Sequence, residues 1–308
     1  MKVTIIGGGG RVGSNAAFAL QCANLVSEIQ ILDANTDLAQ GEALDLLHGA
    51  SSLGDTRIYA GDYDRARDTN VFVITAGLRR KPEESRLDLI NRNVALFRNI
   101  LKDIRRAGHL GCAKFFIVSN PVDLLTHLAT LELEVPAHQV LGLGTMLDTA
   151  RFRSLIADEL QLAPSQVKAL ILGEHGDSMI PVWSSATYGG LPLAGYPGCT
   201  PQFQKQIFER ARGSGAEVIR QKGGAGWAVG ATIADVVHAI ALDRRQLLPV
   251  SSRQSGRVYG IRDISLSVPT IVGRDGVVDH VEIDLWPKEK QGLQASAQTL
   301  RQTLLKIS

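Results

Sequence analysis

The sequence predicts an α/β protein in which a doubly wound parallel sheet is followed by a smaller α+β domain. Three observations predict this fold. Short apolar runs alternate with helical stretches over the first half, and the first run leads directly into four consecutive glycines. Beyond residue 143 the alternation stops, and helices and strands follow in groups. We therefore expect two domains, residues 1–143 and residues 144–308.

The apolar runs of the first domain have the length of buried parallel strands. They are Val3–Ile6, Glu28–Leu32, Arg57–Ala60, Val71–Thr75 and Phe115–Val118. Between them, apolar residues recur at helical spacing in Val12–Cys22, Asp37–Leu47, Ser85–Ala107 and Val122–Leu131. Because strands and helices alternate, the strands are expected to run parallel with helices on both faces of the sheet.

The second domain mixes helices with strands that are separated by turns. Helices are predicted over Leu147–Leu160, Pro201–Lys222, Trp227–Leu242 and Lys288–Ile307. Strands are predicted over Val167–Leu172, Gln246–Ser252, Ser265–Val272 and Val277–Asp284. The polar turn Gly173–Ser178 follows the first of these strands, and the crevice between the two domains is the expected place for a site.

Composition and charge argue against several kinds of function: nucleic-acid binding, membrane insertion, and a fold held by disulfides or a metal are not expected. The net charge of +2 gives no reason to expect nucleic acid as a partner, and no apolar run approaches the ~20 residues that a membrane span needs. Cys22, Cys112 and Cys199 form no CxxC pair, so neither a disulfide framework nor a metal site is expected. The first residues enter a strand without a signal-type segment, and we expect a cytoplasmic protein with a small-molecule substrate.

The glycine run has the spacing of a dinucleotide-binding turn. Gly8, Gly10 and Gly13 satisfy GxGxxG, and Gly7 with the last two satisfies the related GxxGxxG. Glycines let a tight turn approach a pyrophosphate, which the N-terminus of the following helix attracts. Arg11 lies inside the turn and is a candidate phosphate contact. Strand, turn and helix occur in the order that a Rossmann domain requires.

An acidic residue ends the second strand. Asp33 lies 20 residues after Gly13 (33 − 13 = 20), where a carboxylate accepts hydrogen bonds from the adenosine ribose hydroxyls and repels a 2′-phosphate. The pair of signals predicts NAD as the cofactor, in preference to NADP. The alternative is that Asp33 only caps the stretch that follows it.

The chain resembles the malate/lactate dehydrogenase family over nearly its whole length. The order and spacing of seven motifs carry the resemblance: GEALDLLH (41–48), ITAG (74–77), SRLDL (85–89), SNPVD (119–123), LDTARFR (147–153), GEHGDS (173–178) and LSVP (266–269). The resemblance implies reversible hydride transfer between a 2-hydroxy acid and NAD. It also implies a homo-oligomer, with a tetramer favoured over a dimer.

The resemblance assigns a role to each of five polar residues. His175 matches the proton donor and acceptor, and Asp148 matches the carboxylate that orients its imidazole. Arg151 matches the guanidinium that binds the substrate carboxylate, and Arg86 matches the loop arginine that polarises the reacting carbonyl. Asn120 matches the amide that places nicotinamide and substrate. Further cofactor contacts are expected at Val12, Thr75, Ala76, Gly77, Asn93 and Val118.

The predicted mobile loop, residues 77–88, bears on the choice of substrate. Arg80 directly precedes Lys81-Pro82. In this family, the residue at that position contacts the substituent on C3 of the substrate, and an arginine there is typical of malate enzymes. Ala225 agrees, because lactate enzymes commonly carry threonine at that position. Glu84 is the lactate-type residue, and Glu83 matches neither pattern. We expect a malate dehydrogenase of the tricarboxylic acid cycle, with L-lactate dehydrogenase as the alternative.

Two other classes share part of the pattern. A non-catalytic NAD-binding protein would need the glycine turn and Asp33, but it would have no use for His175, Asp148 and the arginines. NAD-dependent glycosidases resemble the first domain, but they use a metal held by Cys and His, and the cysteines of this chain occur in no comparable motif.

Overall fold

The structure is a computed structural model, and it describes residues 1–79, 81, 83–108 and 110–307. Arg80, the predicted specificity residue, lies outside the described residues. Throughout the described ranges, no helix combines the length and the apolar character that crossing a bilayer requires.

In its described residues, the first segment of the chain forms six parallel strands and four α-helices. The strands are β1 (Lys2–Ile6), β2 (Glu28–Leu32), β3 (Arg57–Ala60), β4 (Val71–Ile74), β5 (Lys114–Ile117) and β6 (Val140–Gly142). The helices are α1 (Arg11–Ala23), α2 (Thr36–Leu53), α3 (Arg86–Ala107) and α4 (Val122–Glu132). The strand order is β3-β2-β1-β4-β5-β6, so the sheet order reverses between β1 and β4. That reversal is where ligands bind in such sheets.

As far as it is described, to residue 307, the second segment forms four α-helices and eight strands. The helices are α5 (Met146–Glu159), α6 (Pro201–Lys222), α7 (Trp227–Ala241) and α8 (Pro287–Leu304). The strands are β7 (Val167–Leu172), β8 (Ile180–Tyr188), β9 (Leu191–Pro192), β10 (Gln246–Leu248), β11 (Ser251–Ser255), β12 (Arg262–Ser267), β13 (Thr270–Gly273) and β14 (Gly276–His280). They pair antiparallel as β7-β8-β9, β10-β13-β14 and β11-β12.

Two strands of the second segment complete the sheet of the first. Ser251 of β11 pairs antiparallel with Gly142 of β6, and β12 lies outside β11. The result is one eight-stranded sheet, in the order β12-β11-β6-β5-β4-β1-β2-β3. The predicted fold class, a Rossmann parallel sheet followed by an α+β segment, is confirmed. The division between residues 143 and 144 stays a prediction.

Several predicted strands have different limits in the structure. The predicted strands 246–252 and 265–272 are each two strands, and each pair is divided between different sheets. The breaks fall at Pro249 and Pro269, which have no N–H to donate to a ladder. The predicted strand 277–284 ends at His280. Sequence analysis missed β6, which has three residues, and also β8 and β9.

The sheet core is apolar on both faces, and α7 closes one side of it. All five residues of β1 are buried, as a central parallel strand requires. Helix α7 packs closely on α1, because an added Cβ on Gly230 would lie only 2.7 Å from the backbone oxygen of Asn15. Since α1 begins at the glycine turn, this contact also fixes the position of that turn.

Substituting Gly230 tests this close helix contact. We expect Gly230→Ala to lower the free energy of unfolding by about 1–3 kcal/mol, because the new methyl group forces α1 and α7 apart. Denaturant unfolding measures this change. The control is Gly213→Ala in α6, where a Cβ would meet nothing within 4 Å. That variant should be up to about 1 kcal/mol more stable than the parent. Equal effects of the two substitutions would contradict the close contact.

Candidate functional site

The glycine turn after β1 is packed so tightly that its inner positions exclude any side chain. Gly7 has φ +82°, and its Cβ would lie 2.5 Å from the backbone nitrogen of Ala76. A Cβ on Gly13 would lie 2.5 Å from the carbonyl oxygen of Gly7, and one on Gly8 would meet Ile31 at 2.8 Å. Gly10 differs, since its Cβ would meet only the Gly7 oxygen, at 3.3 Å. The turn is thus a backbone cradle, open beside Gly10 at the start of α1.

Asp33 stands at the end of β2 next to this cradle. Its Oδ2 accepts a hydrogen bond from the Gly9 N–H at 3.1 Å, and its Oδ1 accepts one from the Asn35 N–H at 3.0 Å. The carboxylate is only partly buried, so its remaining lone pairs face the open side. A cradle that admits no side chain and a fixed acid beside it fit the pyrophosphate and ribose of a dinucleotide.

The other predicted cofactor residues surround the turn, but several are engaged by the protein backbone. Thr75 Oγ1 donates to the carbonyl oxygens of Ile6 and Gly7 at 3.0 and 3.1 Å, which ties the end of β4 to the turn. Arg11 does not point into the cradle, because its guanidinium donates to the carbonyl oxygens of Lys222, the last residue of α6, and of Gly224, which lies just beyond it.

Three predicted contacts border the same region. Asn93 on α3 accepts from the Leu78 N–H at 2.8 Å and donates to the Leu78 carbonyl, so it anchors the start of the predicted loop. Val118 is buried just after β5, and Val12 is half-buried in the first turn of α1. Their contacts with cofactor stay predictions.

His175, Asp148 and Arg151 come together as the family resemblance implies. His175 follows β7, and its Nδ1 lies 2.5 Å from Oδ2 of Asp148. Asp148 lies in the first turn of α5 with a side chain only 2% exposed. Its Oδ1 accepts a hydrogen bond from Arg151 at 3.1 Å. The carboxylate therefore joins the imidazole to the guanidinium.

The electrostatics favour an imidazole that carries a proton. Burial lowers the pKa of His175, but the carboxylates of Asp148 and Asp123 outweigh it, so the pKa is raised above its ordinary value of 6.5. Burial likewise raises the pKa of Asp148, and His175 and Arg151 outweigh it, so that pKa is lowered below 3.8. The carboxylate therefore favours the protonated form of the imidazole, and the imidazole and the guanidinium favour the ionised carboxylate.

The backbone of the His175 turn is hydrogen-bonded to three other elements, β12, α8 and α4. Gly173 exchanges two backbone hydrogen bonds with Ser267 of β12. The Glu174 N–H donates to Ser296 Oγ on α8 at 2.8 Å, and the His175 N–H donates to Oδ2 of Asp123 on α4 at 2.7 Å. Sequence analysis assigned no role to Ser296 or Asp123. The position of Asp123 inside the SNPVD motif, among apolar residues, was the one available signal.

The loop 77–88 is anchored at both ends and touches the His175 turn. Glu84 accepts hydrogen bonds from the Lys81 N–H at 2.8 Å and from Arg92 at 2.6 Å. These bonds lower the pKa of Glu84. Arg86 begins α3 and pairs with Asp177 at 3.2 Å, with both side chains largely exposed. The loop arginine is therefore paired with a residue that lies two positions after His175 in the chain.

Asn120 follows β5 by three residues. Its Oδ1 accepts from the Val122 N–H at 3.3 Å, and it directly precedes Pro121, to which it is joined by a cis peptide bond. The predicted substrate and catalytic residues thus lie on the loop, on α5 and after β5 and β7. Arg80 lies outside the described residues. Among the residues that the structure describes, no group of three or more His, Cys, Asp and Glu side chains suits a metal ion.

Comparison with known proteins identifies two matching family profiles. "Lactate/malate dehydrogenase, NAD binding domain" matches residues 1–142, and "lactate/malate dehydrogenase, alpha/beta C-terminal domain" matches residues 145–308. The family resemblance drawn from the sequence motifs is therefore confirmed. The presence of this NAD-binding domain, together with the fit of the glycine cradle and Asp33, shows that NAD is the cofactor.

Individual relatives are similar over almost the whole chain. An L-lactate dehydrogenase of Synechococcus sp. is 40% identical over 305 residues, which cover 99% of this chain and 98% of that protein. The L-lactate dehydrogenase of Salinibacter ruber is 40% identical over 299 residues, covering 96% and 94%. A solved structure, the minor L-lactate dehydrogenase from Enterococcus mundtii in the ligands-bound form, superposes with a TM-score of 0.95 at 35% identity, covering 100% and 98%.

These relatives contradict the prediction of a malate dehydrogenase of the tricarboxylic acid cycle. That prediction is wrong. Proteins 40% identical to the whole chain are L-lactate dehydrogenases. The sequence argument gave most weight to the single guanidinium of Arg80 and discounted Glu84. In the structure Glu84 does not point freely to solvent, because Lys81 and Arg92 bind its carboxylate. The lactate-type residue is thus an integral part of the loop.

Substituting Gly10 tests the cradle. We expect Gly10→Ala to leave the unfolding temperature nearly unchanged, because its φ of −78° suits alanine and the new Cβ meets only one oxygen at 3.3 Å. The Kd for NADH should rise by about tenfold or more, since the methyl group occupies the open side of the turn. Calorimetric titration with NADH measures this. Gly41→Ala, at an exposed position of α2 with nothing within 4 Å, is the control. Unchanged NADH affinity in the Gly10 variant would place the pyrophosphate elsewhere.

Proposed function

The chain belongs to the lactate/malate dehydrogenase family, and from that premise we propose that it is an NAD-dependent L-lactate dehydrogenase. It interconverts pyruvate and (S)-lactate. The observation that carries the proposal is the similarity to L-lactate dehydrogenases over 96–99% of the chain. The linked His175, Asp148 and Arg151 supply the chemistry that this reaction needs.

His175 is the proposed acid and base. Its Nδ1 is engaged by Asp148, which leaves Nε2 as the nitrogen that exchanges a proton with the substrate oxygen. Asp148 holds the ring in one orientation and stabilises its protonated form, so the proton is available when a carbonyl is reduced. In the reverse direction the neutral ring accepts the proton of the lactate hydroxyl. Bound NADH supplies the hydride in the reduction.

Two arginines are the proposed substrate contacts. Arg151 is only 16% exposed and uses one nitrogen for Asp148, and the guanidinium has further N–H donors for a bidentate bond to the pyruvate carboxylate. Arg86 begins α3 at the end of the loop, where its charge polarises the carbonyl. Its exposed pair with Asp177 is weak, so a substrate carbonyl can replace that partner. Asn120 then positions nicotinamide and substrate.

The cofactor residues follow from the cradle. Gly7, Gly8, Gly10 and Gly13 let the pyrophosphate approach the first turn of α1, and Asp33 accepts hydrogen bonds from the adenosine ribose. Thr75, Ala76, Gly77 and Val118 border the nicotinamide half of the site. Arg11 contacts a phosphate only if it leaves the carbonyls of Lys222 and Gly224.

The proposal extends to a cytoplasmic homo-oligomer, with a tetramer favoured. Helices α1, α2, α6 and α7 carry large apolar side chains that are 45–71% exposed in the single chain: Phe18, Leu44, Leu47, Ile219 and Trp227. Contact with a second copy would cover them. All three cysteines are free, which suits a reducing compartment.

The substrate is tested by following NADH oxidation with pyruvate and with oxaloacetate under identical conditions. We expect kcat/KM to be larger for pyruvate. Pyruvate reduction should decline as pH rises through the raised pKa of His175, because the protonated imidazole is the donor. A preference for oxaloacetate of a hundredfold, within the range that a buried polar contact provides, would overturn the lactate assignment and leave the fold intact.

Replacing His175 tests its role. We expect His175→Asn to lower kcat for pyruvate reduction by about 10²–10⁴-fold, because no group remains to protonate the carbonyl oxygen. The Kd for NADH should stay within about threefold of the parent value, since His175 lies outside the glycine cradle. Steady-state kinetics and NADH titration measure the two effects. Turnover close to that of the parent would remove His175 from the reaction.

A further inference from the structure

Asp123 is a buried acid whose location is not explained by the fold alone. It lies in the first turn of α4, two residues after Pro121, and is 2% exposed. Burying a carboxylate is costly unless it is paired. The groups that act on its ionisation are Ser251, His175 and Glu174, and none of these is a lysine or arginine. Among the described residues, His175 is therefore the only basic side chain that acts on the ionisation of Asp123.

Asp123 is hydrogen-bonded to the backbone of His175. Its Oδ2 accepts the His175 N–H at 2.7 Å. On the other side, Asp148 of α5 holds the ring of His175 through Nδ1 at 2.5 Å. Two carboxylates from different helices thus bind one histidine: Asp123 binds its backbone N–H, and Asp148 binds its imidazole.

The second oxygen of Asp123 is poorly solvated. Within the described part of the chain, no group donates a well-formed hydrogen bond to Oδ1, although the Ser251 hydroxyl is close enough to stabilise the ionised form. Ser251 lies on β11 and is fully buried. The charge of Asp123 is therefore screened very little, and its field reaches the imidazole.

The ionisation of the two residues is coupled. Burial raises the pKa of Asp123 to about 6, close to the ordinary value for histidine. Burial lowers the pKa of His175, whereas Asp148 and Asp123 raise it and Arg151 of α5 lowers it. Glu174, next to His175, raises the pKa of Asp123. The two groups therefore influence each other's ionisation.

We propose that Asp123 is a positioning residue for His175: it fixes the histidine backbone and, through its negative charge, helps to keep the proton on the imidazole. This inference rests on the proposed role of His175 as the proton donor. Asp148 orients the ring, and Asp123 adds charge without touching the ring nitrogens. The two acids therefore act on the same proton in different ways.

The test is Asp123→Asn, which removes the charge and keeps an oxygen that can accept the His175 N–H. In the NADH-loaded enzyme, NMR titration of the His175 imidazole should show a pKa about one lower than in the parent, which is an about tenfold weaker affinity for the proton. The resonance is assigned by its loss in His175→Asn. Pyruvate reduction should begin to decline at a correspondingly lower pH, with kcat on the acidic plateau within about threefold of the parent.

A matched control is Glu289→Gln. Glu289 is also a buried acid, and its Oε1 accepts backbone N–H groups from Trp183 and Ser184 at 2.7 and 3.1 Å, away from His175. This substitution should leave the pKa of His175 unchanged. Asp123→Ala, which also removes the acceptor, should add a loss of kcat that is the same at every pH.

Two outcomes would overturn the inference. One is a His175 pKa in Asp123→Asn equal to that of the parent, and the other is a loss of activity that does not vary with pH. If Asp123→Asn does not fold, Ser251→Ala replaces it: losing the hydroxyl raises the pKa of Asp123, so His175 should hold its proton less well between pH 6 and 7. The NMR titration needs no substrate, so failure of pyruvate as substrate is distinguishable from failure of this inference.

Discussion

The site depends on how one buried carboxylate, that of Asp148, is paired with charged partners. A carboxylate with almost no exposure must be paired, because leaving it unpaired would cost several kcal/mol. Both of its oxygens are engaged, one by His175 after β7 and the other by Arg151 on the same helix. The first turn of α5 is therefore held against the end of β7. The requirement to pair one charge places the proton donor and the carboxylate-binding arginine side by side.

The loop is held by contacts of unequal strength. Asn93 and Arg92 on α3 bind Leu78 and Glu84 through half-buried or buried groups. The contact between Arg86 and Asp177 is an exposed ion pair, worth about 0–1 kcal/mol. The ends of the loop are thus firmly placed, whereas its contact with the His175 turn is easily exchanged. Because the Arg86–Asp177 pair is weak and the other loop contacts are firm, a substrate can replace Asp177 at Arg86 without disturbing α3.

Sequence patterns predicted the features that depend on local chemistry. The glycine turn, Asp33 and the order of strands and helices in the first segment follow from backbone requirements that short motifs express. The separation of strands at Pro249 and Pro269 was not predicted, although a proline inside a strand pattern is a local signal. The pairing of β11 with β6 and the contacts of Ser296 and Asp123 with the His175 turn were not predicted for a different reason. Each joins residues far apart in the chain, and no local periodicity records such a contact. The substrate was mispredicted because one loop residue outweighed the similarity of the whole chain.

The union of β6 with β11 has a consequence for synthesis on the ribosome. When Gly142 has left the exit tunnel, β6 is the edge of a sheet that has all its parallel strands but lacks β11, which is still to be translated. An unpaired edge is a template for association with another chain. The nascent protein therefore passes through a stage at which two neighbouring copies on one messenger can pair by their open edges.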